Sequence, residues 1–460
     1  MGNYEEYGKV KLVDERLKKR LPRLLEQLAS EPTASISGAC KDPYQSKAAY
    51  RFVGNDEVTV EAITEITRNV TIMNINAAMP SVLLLPEDTS ELNYSRLKAT
   101  EGLGSIAGVK AFKGLYVHSA IAISEVGENY GLLAQKIWSR PPENFGRKVD
   151  RSKIPIEDKE SYKWLETMVN VQAALPEGTF AVHICDREGD IFEFFCKAEE
   201  VKANYLCRRQ YDRIIDDEDG HKRLTDSINA TAIAGKIKVH VPRDSHTNRK
   251  SREAEIEIKY GKCTIPKPRN LAKNKELPES IVVYFVSAVE TDRPEGQDKI
   301  YWQLITNVAT ESFENAVTRI LWYTQRWKIE TFHRTLKSGC KVEELQYETA
   351  EKLMKLIAIY SIIALEIMRL VYLGRTHPEE SCEVSFSEEE WKVLYRVAKK
   401  TRELPEKTPT LREAVTLIAK LGGFPGRNSD GFPGVTVIWR GLTKFYTIME
   451  AVPYLALFQQ

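Results

Sequence analysis

Tyr323, Arg326, Glu330 and Lys337 fall in the stretch Trp322–Lys337 at spacings of three, four and seven residues. At roughly 100° per residue those spacings put all four on one face of a helix. Arg334 and Lys341 share that face, and Leu321, Ile329, Phe332 and Leu336 supply an apolar side to bury. From Arg319 to Lys341 there are six Lys or Arg and a single acid, Glu330. A lone carboxylate in a row of cations suits the holding of a divalent metal where a polyanion is cut, with the cations and the tyrosine gripping phosphates. The plainer account of the same residues is a solvated basic helix on which Glu330 pairs with Arg326 or Arg334.

Two further acids follow apolar runs. Val82–Leu85 leads to Pro-Glu-Asp88-Thr, and Phe180–Cys185 stops at Asp186. Each run predicts a strand, so Asp88 and Asp186 are expected at strand ends, where ligand sites gather in open sheets. Glu87, Glu188 and Asp190 are rival carboxylates, and either Asp alone reads equally as a turn or cap residue. With Glu330 on a helix packed beside them, three carboxylates from distant parts of the chain would meet. Hard cations such as Mg²⁺ take such oxygen ligands. Two ions about 4 Å apart stabilise both the entering and the leaving oxygen of an in-line phosphoryl displacement.

The elements that must position these residues follow from the patterning. Residues 1–75 read as helices, including a basic amphipathic run over Asp14–Leu28 and a short helix over Lys47–Val53. Val82–Leu85, Leu115–Ile123 and Tyr130–Trp138 then read as three consecutive strands. A helix over 158–174 and strands at Phe180–Cys185 and Tyr205–Arg208 follow. That order predicts an α/β fold with a ribonuclease H-like mixed sheet. Residues 212–295 interrupt it as an inserted β-rich region, before the sheet resumes at Tyr301–Thr306. The expected domains are thus 1–75, 76–373 and 374–460, with Gly374–Pro409 as a charged linker and 410–460 as a helical module.

At 460 residues the chain should hold two to four folding units, and its 42% apolar and 28% charged residues are ordinary for a soluble protein. The net charge of +1 is segregated rather than absent. Residues 233–275 carry twelve Lys or Arg against four Asp or Glu, a local patch suited to polyanions. Seven scattered cysteines without a CxxC pair point to a reducing cytoplasm and away from a disulfide framework or structural zinc. The N-terminus has neither signal nor transit character. Leu356–Leu373, broken by Glu366 and Arg369, is expected to be a core helix rather than a membrane span.

Glu87-Asp-Thr-Ser90, Cys185-Asp-Arg-Glu-Gly-Asp-Ile191 and Tyr323-(2)-Arg326-(3)-Glu330-(6)-Lys337 together closely resemble the bacterial cut-and-paste DDE transposases of the insertion-sequence-four family. The last pattern is that family's tyrosine–arginine–glutamate–lysine signature. The resemblance covers essentially the whole chain. Leu12–Arg16, Arg20, Ser35-Ile36 and Ala48–Phe52 resemble the N-terminal end-binding domain. Ile418–Phe424 and Trp439 resemble the C-terminal dimerisation module.

Several expectations follow from the resemblance. Asp88, Asp186 and Glu330 would be the metal ligands, holding two Mg²⁺ ions, with Mn²⁺ substituting. Tyr323, Arg326, Arg334 and Lys337 would contact phosphates near the cut. Trp302 would stack against a flipped base, although by itself a strand tryptophan belongs to the core. Arg208 would touch terminal DNA, and Arg20 and Arg51 would serve the end-binding domain. The partners would be double-stranded DNA, as transposon ends and target, and a second copy of the chain in the synaptic complex; a monomer without DNA is compatible with this. No membrane is implied, and the setting is the bacterial cytoplasm and its nucleoid. The alternatives are a ribonuclease H-like nuclease or resolvase that cuts without joining, and a catalytically silent DNA-binding descendant.

Overall fold

The computed structural model describes the chain except for residues 1–3, 10–14, 32–34, 41, 142–153, 242–251, 293–298, 428–429 and 456–460. The motif over 12–16 and part of the basic stretch 233–275 therefore lie partly outside the described residues.

The N-terminal part is helical: α1 (Glu15–Ser30), α2 (Ile36–Cys40) and α3 (Pro43–Val53). In α1, Leu17, Leu21, Leu24, Leu25 and Leu28 recur at helical spacing and are all buried. Helix α3 starts on Asp42, whose carboxylate accepts from the Tyr44 N–H at 2.8 Å, with Pro43 in the first turn. The next helix, α4 (Val60–Ala78), runs straight through the boundary expected at residue 75.

Helix α4 packs on the central sheet. The strands preceding the first crossover are β1 (Leu83–Asn93), β2 (Gly104–Ile106), β3 (Val109–Ser124) and β4 (Asn129–Trp138). Side chains of α4 cap carbonyls along β4: Arg68 Nε donates to Leu133, Thr71 Oγ1 to Leu132 and Asn74 Nδ2 to Tyr130, at 2.7, 3.0 and 2.9 Å. An edge that would otherwise be open to another chain is thereby covered. The approach is close at Gly131, whose φ of 137° is a glycine conformation, and a Cβ there would sit 2.2 Å from Thr71 Oγ1.

After β4 come α5 (Tyr162–Ala174), β5 (Ala181–Cys185), α6 (Phe192–Glu200) and β6 (Asn204–Arg208). Strands β1, β3 and β4 pair antiparallel, whereas β1, β5 and β6 pair parallel. This is the mixed sheet expected of a ribonuclease H-like core. The β-rich region, expected to interrupt the sheet, instead extends it. It contributes α7 (Leu224–Ala230), β7 (Gly235–Val241), β8 (Arg252–Pro266) and β9 (Ser280–Glu290), and β10 (Tyr301–Thr306) joins them to β6. The described sheet has ten strands in the order β2-β3-β1-β5-β6-β10-β9-β8-β7, with β4 beside β3.

The two faces of the sheet bury different cores. One face meets α5 and α6 through Trp164, Leu165, Met168, Phe192 and Phe195. The other meets α8 (Phe313–Thr324), α9 (Trp327–Arg334) and the 27-residue α10 (Ala350–Thr376). Helix α10 is long and apolar enough to cross a bilayer, but it lies buried in this core, as its interrupted run suggested. The segment expected as a linker, 374–409, is not one. Helix α10 continues into it, and α11 (Glu388–Lys399) begins there on a capping box of Ser387 and Glu390. Helices α12 (Leu411–Leu421) and α13 (Val435–Leu455) complete the helical C-terminal module. At Gly441 a Cβ would lie 1.8 Å from the Ile418 carbonyl, so the two helices can touch only through glycine there.

Candidate active site

Side chains alternate between the faces of a strand, so register decides which residues share a side. Asp88 lies on the α9 face with Leu84. The parallel pairing of Leu84 with Val182 and of Cys185 with Cys207 puts Asp186 and Arg208 on that same face. The pairing of Leu304 with Arg208 adds Trp302. Asp88, Asp186, Arg208 and Trp302 thus follow one another along the sheet in the strand order β1, β5, β6, β10.

Asp186 ends β5 as expected and caps the following turn, its Oδ1 accepting from the Glu188 N–H at 2.8 Å. Asp88 does not end its strand; β1 runs on to Asn93. The pairing of β1 with β5 does stop at Pro86, so Asp88 emerges just past the fork between the two strands. The ladder to β3 lapses over Leu85 and Pro86 and resumes at Glu87, in keeping with a proline that has no N–H to give.

The signature residues do not sit on one unbroken helix. Helix α8 ends at Thr324, and three-residue hydrogen bonds from Arg326 N–H to Tyr323 O and from Ile329 N–H to Arg326 O tighten the chain before and into α9. A π-helical turn, Thr335–Gly339, follows and carries Lys337. Such turns recur at functional sites. Ile329, Phe332 and Leu336 are buried as expected, whereas Leu321 is 51% exposed. Arg334 is exposed, and its contact is with Thr331 Oγ1 at 3.5 Å.

Arg326 holds the carboxylates together. Its guanidinium lies 3.4 Å from Asp88 Oδ2 and donates a short hydrogen bond to Glu330 Oε1. Glu330 is the more open of the two acids, 55% exposed against 21% for Asp88. Burial, reinforced by the Asp186 charge, pushes the Asp88 carboxyl up to about 7 against the pull of Arg326. Burial also raises the Asp186 carboxyl, against the hydrogen bond it accepts from the Glu188 N–H. Burial opposes the charge of Arg326, but Tyr323, Glu330 and Asp88 outweigh it and hold the guanidinium above its usual range.

Such a cluster of crowded carboxylates suits a hard divalent cation in kind, because that charge would offset both the burial and the Asp186 repulsion that raise Asp88. As folded, no group of three or more His, Cys, Asp or Glu is arranged to hold a metal among the described residues. The guanidinium of Arg326 balances the charge instead.

Tyr323 is buried, and its hydroxyl has no hydrogen-bond partner among the described residues. Burial pushes the phenol up to about 12. The Trp302 ring meets its edge with centroids 5.5 Å apart, and Arg208 is held nearby by the Tyr301 carbonyl at 3.0 Å. In the N-terminal helices the two arginines differ. Arg51 is exposed beside an open groove of about 730 Å³ lined by Ser37, Lys47 and Tyr50. Arg20, expected to face DNA, bonds Gln45 Oε1 at 2.6 Å and the Gln45 carbonyl at 2.9 Å, tying α1 to α3.

Sequence reasoning weighed Glu87 only as a rival to Asp88. It sits on the opposite face, fully buried between His183 and His118. Placing it in a strand by alternation, on the same side as Leu83 and Leu85, would have exposed it as a charge in an apolar layer.

A mixed sheet with Asp88, Asp186 and a cationic helix on one face is the arrangement expected of DDE transposases, and the family comparisons decide the class. The chain belongs to the Tn5-like DDE transposases, because three family models match it in order. "Transposase DNA-binding" matches residues 4–58, "Transposase DDE domain" residues 215–366, and "Transposase Tn5 dimerisation domain" residues 362–459. The first ends before α4, consistent with the packing of that helix on the sheet. The second includes Glu330 but not Asp88 or Asp186. A solved structure of a piggyBac transposase synaptic complex with hairpin DNA aligns over 94% of this chain and 77% of that one, at 9% identity and a TM-score of 0.33, a likeness too loose to carry an argument.

Proposed function

We propose that this transposase frees DNA ends through a hairpin and joins them to target DNA, using two divalent ions held by Asp88, Asp186 and Glu330. The observation that carries the proposal is the convergence of Asp88 and Glu330 on Arg326, with Asp186 one strand away. DDE transposases generally depend on divalent metal ions, and Mg²⁺ matches the all-oxygen donor set. Ions bound there would neutralise charge on the phosphate and activate the attacking oxygen.

Four displacements at each end account for excision and joining. Water cuts one strand, and the freed 3′-hydroxyl attacks the opposite strand to close a hairpin. A second water opens the hairpin, and the 3′-hydroxyl then attacks the target. Each step makes one P–O bond and breaks one, so a single site serves all four. Tyr323, Arg326, Arg334 and Lys337 position phosphates beside it, and Arg208 and Trp302 extend the surface along the sheet. The dimerisation module would pair two chains over two DNA ends.

Glu330→Gln tests the assignment. It should bind end DNA like the unmodified protein yet lose cleavage by at least about 100-fold. Normal cleavage by this variant would remove Glu330 from the site. Failure of the unmodified protein to give strand-transfer products from precut ends would reduce the activity to that of a nuclease.

A further inference from the structure

Behind the candidate site the sheet holds a charged group that the chemistry above does not use. Glu87 is 0% exposed, on the face opposite Asp88. One carboxylate oxygen accepts a short hydrogen bond from His183 Nδ1 on β5, and the other lies 3.7 Å from His118 Nε2 on β3. His118 Nδ1 is 2.9 Å from Thr89 Oγ1, and the Trp164 ring packs against the imidazole with centroids 4.7 Å apart. Around them this layer is apolar, with Leu83, Leu85, Ala120 and Cys185 all buried.

A buried polar trio around one carboxylate gives no more stability than well-packed apolar residues, and its best-attested use is to fix one register against others. Its location suits that use. Glu87 joins β1 to β5 on one side and to β3 on the other, at the fork where pairing with β5 ends. One residue further, Asp88 leaves the opposite face, and Asp186 lies three residues beyond His183. A slip of one residue in β1 would turn Asp88 away from Arg326 and towards Trp164.

We infer that Glu87, His183 and His118 form a positioning clamp that fixes where Asp88 and Asp186 emerge, and so sets the affinity of the site for divalent metal. The inference rests on reading Asp88 and Asp186 as metal ligands. The test is the Mn²⁺ dissociation constant by titration calorimetry for the unmodified protein, Asp88→Asn, Glu87→Gln and the double variant Glu87→Leu/His183→Leu. Thermal melting and end-cleavage kinetics are measured on the same samples.

The clamp variants should melt close to the unmodified protein. Their Mn²⁺ dissociation constant should rise about tenfold, with kcat for cleavage reduced and KM for DNA unchanged. Folded clamp variants with unchanged Mn²⁺ affinity would overturn the inference. If Glu87→Gln does not fold, the double variant, which leaves no buried charge unpaired, decides. If that also fails to fold, the trio is a stability element and the inference is wrong. Loss of Mn²⁺ binding in Asp88→Asn alone would sink the clamp and spare the ligand assignment; undiminished binding in Asp88→Asn would sink both.

Discussion

Arg326 reaches across from the start of α9 to within 3.4 Å of Asp88 on β1, so the charge of a half-buried carboxylate is balanced by a side chain from the signature itself. A cation in that position competes with any metal for the same oxygens. Arg326→Gln should therefore bind Mn²⁺ more tightly than the unmodified protein while cleaving DNA about 100-fold more slowly. Calorimetry and single-turnover cleavage separate the two effects. Weaker or equal Mn²⁺ binding would show that Arg326 does not compete.

Trp302 touches Tyr323 edge-on and is only partly buried, so a base can reach its exposed surface. Stacking would contribute about 1–3 kcal/mol. Trp302→Ala should slow hairpin closure by roughly 10- to 100-fold and leave the first nick nearly intact. Gel assays on precut and intact ends resolve the steps, and equal slowing of both would refute the stacking role.

His333 is buried, and burial pushes its imidazole down to about 3, with Lys337 and His118 adding to the effect. The folded value lies below the ordinary 6.5, so the neutral ring favours folding fully above pH 6.5, and that advantage is lost as pH falls towards 3. Between pH 7.5 and 5.0 the loss is about 2 kcal/mol. Asp88 works in the opposite direction, because its raised carboxyl makes folding more favourable as pH falls below 7. Urea melts of the unmodified protein and His333→Leu at both pH values isolate the histidine. Parallel pH dependence in the two proteins would contradict a buried neutral ring.

The two N-terminal arginines should separate cleanly. Arg20→Ala removes hydrogen bonds to Gln45 between α1 and α3 and should destabilise the N-terminal helices by about 1–3 kcal/mol. Arg51→Ala should leave melting unchanged, weaken end-DNA binding and lower the salt dependence by roughly one ion. Scanning calorimetry with binding isotherms at several salt concentrations checks both. Loss of stability in Arg51→Ala would argue against its exposed role.

The candidate site residues are more legible in the sequence than the framework that carries them. Asp186 stands out because an apolar run stops at Cys185, and Glu330 because it is the single acid among the cations of Arg319–Lys341. The strand of Asp88 was cut short because Pro86, Glu87 and Asp88 look like turn residues; pairing with β3 carries the chain through them. Spacing put Tyr323 to Lys337 on one helix, since periodicity is blind to the tightened bonds at Arg326 and to the π turn after Thr335. In β8 Ala254, Ile256 and Ile258 alternate with Glu253, Glu255 and Glu257, a strand pattern. Its place in the main sheet depended on pairing with β9, whose closest partner residues lie more than ten positions away and are not fixed by local pattern.

The row from β1 through β5 and β6 to β10 also works as a ruler. Three interstrand steps of about 4.8 Å separate the strand of Asp88 from that of Trp302, or roughly 14 Å. At about 3.4 Å per base pair this is about four steps along a duplex. A base resting on Trp302 would therefore belong to a nucleotide about four steps from a phosphate held beside Asp88.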